Sequence, residues 1–305
     1  MNARHVRDFW SAMGRGDTAR LEKLIAAGVD VNQPWPLQDA SVHVNLIRPL
    51  LSVASTGKVA VAKVLLDHGA DVQGGNRWMT PVLWAAARRH VDMVTLLEQH
   101  GGKETIFVAA ALGQADRVTA YLRKNAKLIA QRDERRQTAL HYAALALRAD
   151  VVSLLLERGA EVDAVDALDI TPLHAACDVR LADPAEQLAV LRLLLDAGAN
   201  VNAVASHDVT PLHRATRARN PAAVKLLLQH GAAVDARDAR GSTPLRRAVA
   251  NTGAGGTAGS RAEAIEIVTL LLHAGADPLS KNKEGKTVLA SARDADMRKL
   301  LRRCE

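Results

Sequence analysis

Apolar residues recur along this chain in blocks of one design. A block opens with Thr-Pro-Leu-His, runs into paired alanines, and closes a helix pair later with Leu-Leu followed by Gly-Ala. TPLH stands at residues 171–174 and 210–213, with TALH at 138–141 and TPLR at 243–246. Gly-Ala closes blocks at 159–160, 198–199, 231–232 and 275–276, and the commonest spacing is 33 residues. A period of that length holds two short helices and an extended hairpin, or finger, leading to the next pair. Self-similarity at a fixed period predicts a stacked array, in which each unit buries its apolar face against its neighbours.

Each element of the block has a physical reason. Thr opens the first helix as an N-cap, and Pro at the next position gives up an N–H that would have no partner there. Paired Ala lets the neighbouring helix approach closely. Gly after the second helix takes the left-handed conformation that ends it. His141, His174 and His213 are then structural groups, held by local hydrogen bonds near the finger base. His68, His100, His230 and His273 recur at the ends of second helices, where an imidazole suits the negative end of the helix dipole.

These residues resemble the ankyrin repeat, whose pattern is TPLHxAA, a small turn, VxxLL and GAxVNA. Weaker copies extend the resemblance over nearly the whole chain: GVDVN at residues 28–32, GADV at 69–72, and further openings at Thr80, near Glu104 and at Thr287. The resemblance implies an all-α repeat solenoid of about nine repeats, each a helix pair with a short β-hairpin finger, with both ends modified as caps. It implies a single domain over residues 1–305.

The departures from the pattern are informative. Residues 33–47 lengthen one connection, with two prolines around Trp35, so a longer finger is expected there. At residues 101–104, Gly-Gly-Lys-Glu leads straight into the next helix, so one finger is missing and a gap or bend is expected. Residues gained around Asp183 and over 251–260 fall between the helices of their repeats. The second run is Gly-rich and predicts a flexible loop: its faint echo of a phosphate-binding loop lacks the lysine and the preceding strand. At the finger tips glycine stands at Gly241 and Gly285 but gives way to Trp78, Arg136, Asp169 and Asp208. Asp tolerates a left-handed turn better than Trp or Arg, so altered turns are expected at Trp78 and Arg136.

Composition narrows the function. Aromatic residues are 3% of the chain against 48% hydrophobic, which fits close-packed Ala- and Leu-rich helices. The net charge is +7, carried by 29 Arg against 11 Lys. Arg pairs with carboxylates and phosphates through a planar fork, so an acidic protein surface or an anionic ligand is the natural partner. The two cysteines, Cys177 and Cys304, give no disulfide framework or zinc spacing, and a reducing, cytoplasmic setting is compatible. No catalytic motif emerges and no cofactor, metal or membrane segment is indicated, so an enzyme is not expected.

The resemblance places contacts on the concave face, where positions five and eight of the opening motif vary. Those positions read Ser11 and Gly14, Ser52 and Ser55, Trp84 and Ala87, Val108 and Ala111, Tyr142 and Leu145, Ala175 and Asp178, Arg214 and Arg217, Arg247 and Ala250. Trp, Tyr and Arg dominate interface hot spots. Trp84, Arg88, Tyr142, Arg214, Arg217 and Arg247 are therefore the expected partner contacts, taken as exposed, with Arg240 on the adjoining finger. Trp35 and Trp78, on successive fingers, form a second patch. The expected function is protein binding, as an adaptor, inhibitor, or immunity or effector protein. The alternative is a receptor for an anionic small molecule or oligonucleotide, which Trp84 and Arg88 could hold by stacking and charge.

The missing finger divides the array into a block of three repeats, 1–103, and a block of six, 104–305. Urea denaturation followed by circular dichroism is predicted to show two transitions. One sharp transition shared by both blocks would contradict that division.

Overall fold

The computed structural model describes residues 3–34, 48–75, 79–179, 183–250, 261–292 and 294–302. Its helices fall into two compact units, Met1–Arg135 and Arg136–Glu305. The first contains α1 (Ala3–Arg15), α2 (Thr18–Ala26), α3 (Pro49–Thr56), α4 (Val59–Asp67), α5 (Pro81–Ala87), α6 (Val91–Gln99), α7 (Ile106–Leu112) and α8 (Ala115–Lys124), then a 3-10 turn at Ala126–Ala130. The second contains α9 (Ala139–Leu145), α10 (Ala149–Glu157), α11 (Pro172–Cys177), α12 (Pro184–Asp196), α13 (Pro211–Ala218), α14 (Pro221–Gln229), α15 (Pro244–Ala250), α16 (Arg261–His273), α17 (Val288–Ser291) and α18 (Ala295–Arg302). The described residues hold no extended strand, only isolated bridges between Ala205 and Val209 and between Lys281 and Thr287. The architecture is an all-α repeat array.

In each unit the helices form two layers. In the first, α3 packs on α5 and α5 on α7, while α2 packs on α4 and α4 on α6. In the second, the odd-numbered helices from α9 to α17 form one layer and α10, α12, α14 and α16 the other. The core between them is aliphatic: Leu65, Leu97, Leu155, Leu191 and Leu271 of the outer helices are fully buried or nearly so, as are Ala85, Ala143, Ala176 and Ala215 of the inner ones. Small inner residues allow the helices of successive repeats to approach, which is how an array without large aromatics fills its interior. The residues gained near Asp183 become an extra turn of α12, a helix of 13 residues capped by the Asp183 side chain. Those at 251–260 lie outside the described residues.

The motif histidines form the link between repeats. Nδ1 of His141 accepts from the Thr138 N–H at 3.1 Å and faces the Thr138 hydroxyl at 2.9 Å. Its Nε2 meets the Ile170 carbonyl at 2.9 Å, at the doorstep of the next repeat. His174 does the same with Thr171 and Val209, and His213 with Thr210 and Ser242. Because Nδ1 accepts from a backbone N–H, the ring is neutral and Nε2–H donates onward. In the following repeat Arg246 replaces the histidine and reaches the equivalent carbonyl, that of Lys286, with its guanidinium. At the far ends of the repeats, His68, His100 and His230 fold back on the carbonyls of Val64, Leu96 and Leu226, four residues earlier, at 2.8–2.9 Å.

Four of the described fingers are set by a carboxylate or amide three residues before the tip; the one ending at Asp208 has Ala205 there and forms a 3-10 turn instead. Asp166 Oδ1 accepts from the N–H groups of Leu168 and Ile170, Asp238 Oδ1 from Arg240 and Ser242, and Asn282 Oδ1 from Glu284 and Lys286. Asp133 binds the Arg135 N–H in the same manner. This corrects the expectation of an altered turn at Arg136. Arg136 has φ +63°, beside +56° at Asp169, +57° at Asp208 and +70° at Gly241. The Asp133 side chain imposes the turn whichever residue occupies the tip, and Arg136 accepts the strain of a left-handed backbone. Neighbouring fingers also join through backbone: Ser206 donates to the Leu168 carbonyl, Ala239 to that of His207 and Lys283 to that of Arg240, at 2.8–3.1 Å. Trp78 and its turn lie outside the described residues.

The finger at Gly101–Gly102 is absent, as the sequence implies: α6 ends at Gln99 and α7 begins at Ile106, capped by Thr105. The chain turns so tightly that a Cβ on Gly102 would sit 2.8 Å from the Leu97 carbonyl oxygen and 2.5 Å from Val82 Cγ2. No gap opens between inner helices, since α5 and α7 pack together. Among the described residues the change is in the outer layer, where α6 and α8 lack the close packing of α4 on α6.

Burial, followed by the positive charge of Arg214, pushes the His174 imidazole from its ordinary 6.5 to about 4, and burial lowers His213 as well. Between the folded and unfolded values the unfolded chain takes up the proton and the folded one does not. Stability is therefore complete above the ordinary value and is lost as pH falls toward the folded one. At pH 5 His174 alone costs about 2 kcal/mol. The melting temperature followed by circular dichroism is predicted to fall between pH 7 and pH 5; a flat profile there would contradict the neutral-histidine link.

Candidate binding surface

The inner helices from α5 onward begin at a threonine cap, while α3 begins at Arg48, and this start fixes which side chains can point away from the core. At positions one to four the motif is spent on the cap and on the link to the next repeat. Positions five and eight, three apart on one helical face, remain.

In the first unit this face carries Ser52, Ser55, Trp84 and Ala87, all half-buried. The Trp84 indole Nε1–H is buried without a hydrogen-bond partner. Arg88, the exposed residue ending α5, places its guanidinium carbon 5.8 Å from the Trp84 ring centroid and makes no ion pair among the described residues. These two expected contacts are thus brought together as one amphipathic pair. The same unit holds a cleft of about 470 Å³ beside the fingerless turn, lined by Arg48, Asp71, Gln73, Lys103, Phe107 and Glu134 among others.

Tyr142 is placed differently from its expectation. It is 0% exposed and the largest fully buried side chain among the described residues, so it packs the interior and offers no surface to a partner. Val108 and Ala111, expected at positions five and eight, are buried too, because the cap at Thr105 makes Val108 position four of its helix. Ala175, at the same position of the next repeat, is buried as well, and spacing alone does not distinguish a ring that turns outward from one that fills the stack.

In the second unit the arginines are half-buried and paired rather than freely exposed. Arg214 Nη1 lies 3.0 Å from Asp178 Oδ2, and Arg217 Nη2 lies 2.5 and 2.6 Å from the two Asp178 oxygens. The Arg214 side chain is 15% exposed, that of Arg217 39% and that of Asp178 25%. Arg247 grips Asp238 Oδ2 through Nε at 3.0 Å and Nη2 at 2.6 Å. Asp238 is almost wholly buried; its own burial opposes ionisation, but the Ser242 N–H and Arg247 hold its carboxyl below the usual carboxylate range. Arg240 remains exposed at its finger tip. Trp35 and Trp78 lie outside the described residues.

Three guanidiniums facing two carboxylates leave this surface with one positive charge. Beneath it, burial pushes the Cys177 thiol far above its ordinary pKa, so the thiolate needed for reactivity does not form. Among the described residues no cluster of His, Cys, Asp and Glu could hold a metal ion, and no helix is long and apolar enough to cross a membrane. Asp238, and the pairing role of Asp178 at its position eight, are what sequence reasoning passed over. Asp178 sits one rung from Arg214 and Arg217, and Asp238 sits three residues before a finger tip, as Asp166 does; those positions were the available signals.

Comparison with known proteins agrees with this geometry. A family model described as ankyrin repeats in three copies matches residues 106–205 and 179–282, and one for many copies matches 50–98. The chain is 31% identical over 185 residues to an ankyrin repeat and KH domain-containing protein, mask-1, of Caenorhabditis elegans, matching 57% of this chain and 7% of that protein. It is 27% identical over 182 residues to an L-asparaginase of Dirofilaria immitis, matching 56% of this chain and 29% of that one. Against palmitoyltransferase ZDHHC17 of Danio rerio it is 29% identical over 222 residues, 56% of this chain and 34% of the other. The chain spans about a third or less of each relative's length.

Because Arg214 is mostly buried, reversing both Arg214 and Arg217 to Glu gathers three carboxylates at one point. The double variant is predicted to lose at least about 2 kcal/mol in urea denaturation, whereas Arg217→Gln alone loses less than about 1 kcal/mol. Unchanged stability in the double variant would show that the Asp178 pairs carry no structural weight.

Proposed function

The chain belongs to the ankyrin-repeat family, and we propose that it binds another protein through the inner-helix face of its repeats and the adjoining fingers. Ankyrin repeats generally mediate protein–protein interaction, and the observation that carries the reading here is the division of labour within the inner helices α5, α13 and α15. Capping and linking consume positions one to four, while positions five and eight present Trp84, Arg214, Arg217 and Arg247 on rigid supports. Large aromatic and guanidinium side chains with a half-exposed edge are the residue types from which interface hot spots are built. The relatives are named for unlike activities and share with this chain only a part of their length, which supports a binding module over a catalyst. An adaptor, an inhibitor, or an immunity or effector protein acting in a cytoplasmic setting is the form this proposal takes, with an acidic partner surface.

The Trp84–Arg88 pair favours one further reading, a receptor for an anionic small molecule or oligonucleotide whose base stacks on the indole. That reading requires affinity that falls steeply with salt.

The two are separated by placing a photo-cross-linking amino acid at Ser55 or Ala87 on the inner face, and at Lys63 on the outer helix, in the native host. Discrete protein adducts from the inner positions and none from Lys63 are the expected result. Adducts only from Lys63, or nucleic-acid adducts from Ala87, would overturn the protein-binding reading.

A further inference from the structure

The Asp178 cluster in the second unit is short of one carboxylate. Two guanidiniums share a single acid and touch it only through terminal nitrogens, Nη1 of Arg214 and Nη2 of Arg217. The Nε–H of each is buried and has no hydrogen-bond partner. One repeat further on, Arg247 shows a satisfied pair, with Nε and Nη2 of one fork both on Asp238. The two sites differ in stoichiometry, and only the first has donors and positive charge to spare. A buried guanidinium N–H without an acceptor is costly, and the fork geometry of arginine is matched by a carboxylate.

We propose that Asp178, Arg214 and Arg217 form the receptor for one acidic side chain, an Asp or Glu carboxylate presented by the protein partner. The proposal rests on the protein-binding reading above and names the chemistry of that partner at one point. Arg217, the more exposed of the two arginines, takes the incoming carboxylate. Asp178 is then left to Arg214 alone, so that two carboxylates meet two guanidiniums and the residual charge disappears. In the free protein Asp178 neutralises one of the two cations and so competes with the incoming carboxylate for them. A carboxylate fits better than a phosphate monoester, which brings ~2 negative charges next to Asp178 where only one is balanced. Arg247, already paired, takes no part.

The test follows the arginine Nε–Hε resonances of the full chain by NMR during titration with a tetraglutamate peptide and, separately, with inorganic phosphate. The peptide is expected to shift Arg214 and Arg217 and to leave Arg247 in place. Asp178→Asn removes the internal competitor and is expected to tighten peptide binding about tenfold, while Arg217→Gln abolishes the shift at Arg214. No shift in the unaltered chain up to about 10 mM peptide would overturn the proposal, a range that still detects millimolar affinity. Equal movement of Arg247, stronger binding of phosphate than of peptide, or weaker peptide binding by Asp178→Asn would overturn it too. The cross-linking positions Ser55 and Ala87 lie in the first unit. Protein adducts there beside a blank titration would therefore sink the carboxylate receptor and leave the protein-binding reading standing.

Discussion

The imidazoles of His141, His174 and His213 carry the register of the second unit because each is bonded on both sides. Nδ1 closes the N-terminus of its own helix, and Nε2–H holds the carbonyl from which the next repeat starts. A buried carbonyl left without a donor, or a cap left open, costs on the order of 1 kcal/mol or more each. One side chain settles both, so the position of each repeat follows from the conformation of the one before it. The finger turns add to this. Asp166, Asp238 and Asn282 pin the chain three residues before each tip, and the backbone bonds between fingers repeat with the same period.

Replacing the histidine shows which part of the link matters. Arg246 satisfies the Lys286 carbonyl with a guanidinium, so the donor to the next repeat is kept while the neutral ring is lost. In the first unit the matching positions of α3 and α5 hold Leu51 and Leu83, both nearly buried, and there repeats meet through apolar contact instead. Apolar contact is not directional, and it tolerates the irregularities found there: a lengthened connection, a missing finger and a changed outer layer. The side of the chain with directional links is the side that keeps its fingers in regular sequence.

The parts legible in the sequence were those that repeat locally. Thr caps, histidines three residues on and glycine ends lie within a few residues of one another, so the helix pairs and the structural role of His141, His174 and His213 follow from pattern alone. The tip at Arg136 departs from the expectation because the turn is decided by Asp133, three residues before it. The arginine surface was half legible. Position five or eight identified Arg214, Arg217 and Arg247, but their partners, Asp178 and Asp238, emerge only when rungs 36 and 39 residues apart, or a helix and its own finger, are brought together. Tyr142 failed for a related reason: whether a side chain faces out is settled by how closely the next helix approaches.

Scaffold and surface are not independent in the second unit. The charge of Arg214 is among the causes that keep His174 neutral, after burial itself, and it also acts on the Cys177 thiol. A carboxylate arriving beside Arg214 and Arg217 weakens that field at the imidazole, so protonation of His174 becomes less costly in the bound protein than in the free one. By reciprocity, a proton on His174 strengthens the attraction for the carboxylate by the same amount. In the proposed complex, the link that sets the register of the repeats is thereby coupled to occupation of the Asp178 cluster. The coupling runs through Arg214, the least exposed member of the cluster and the one whose side chain belongs to both.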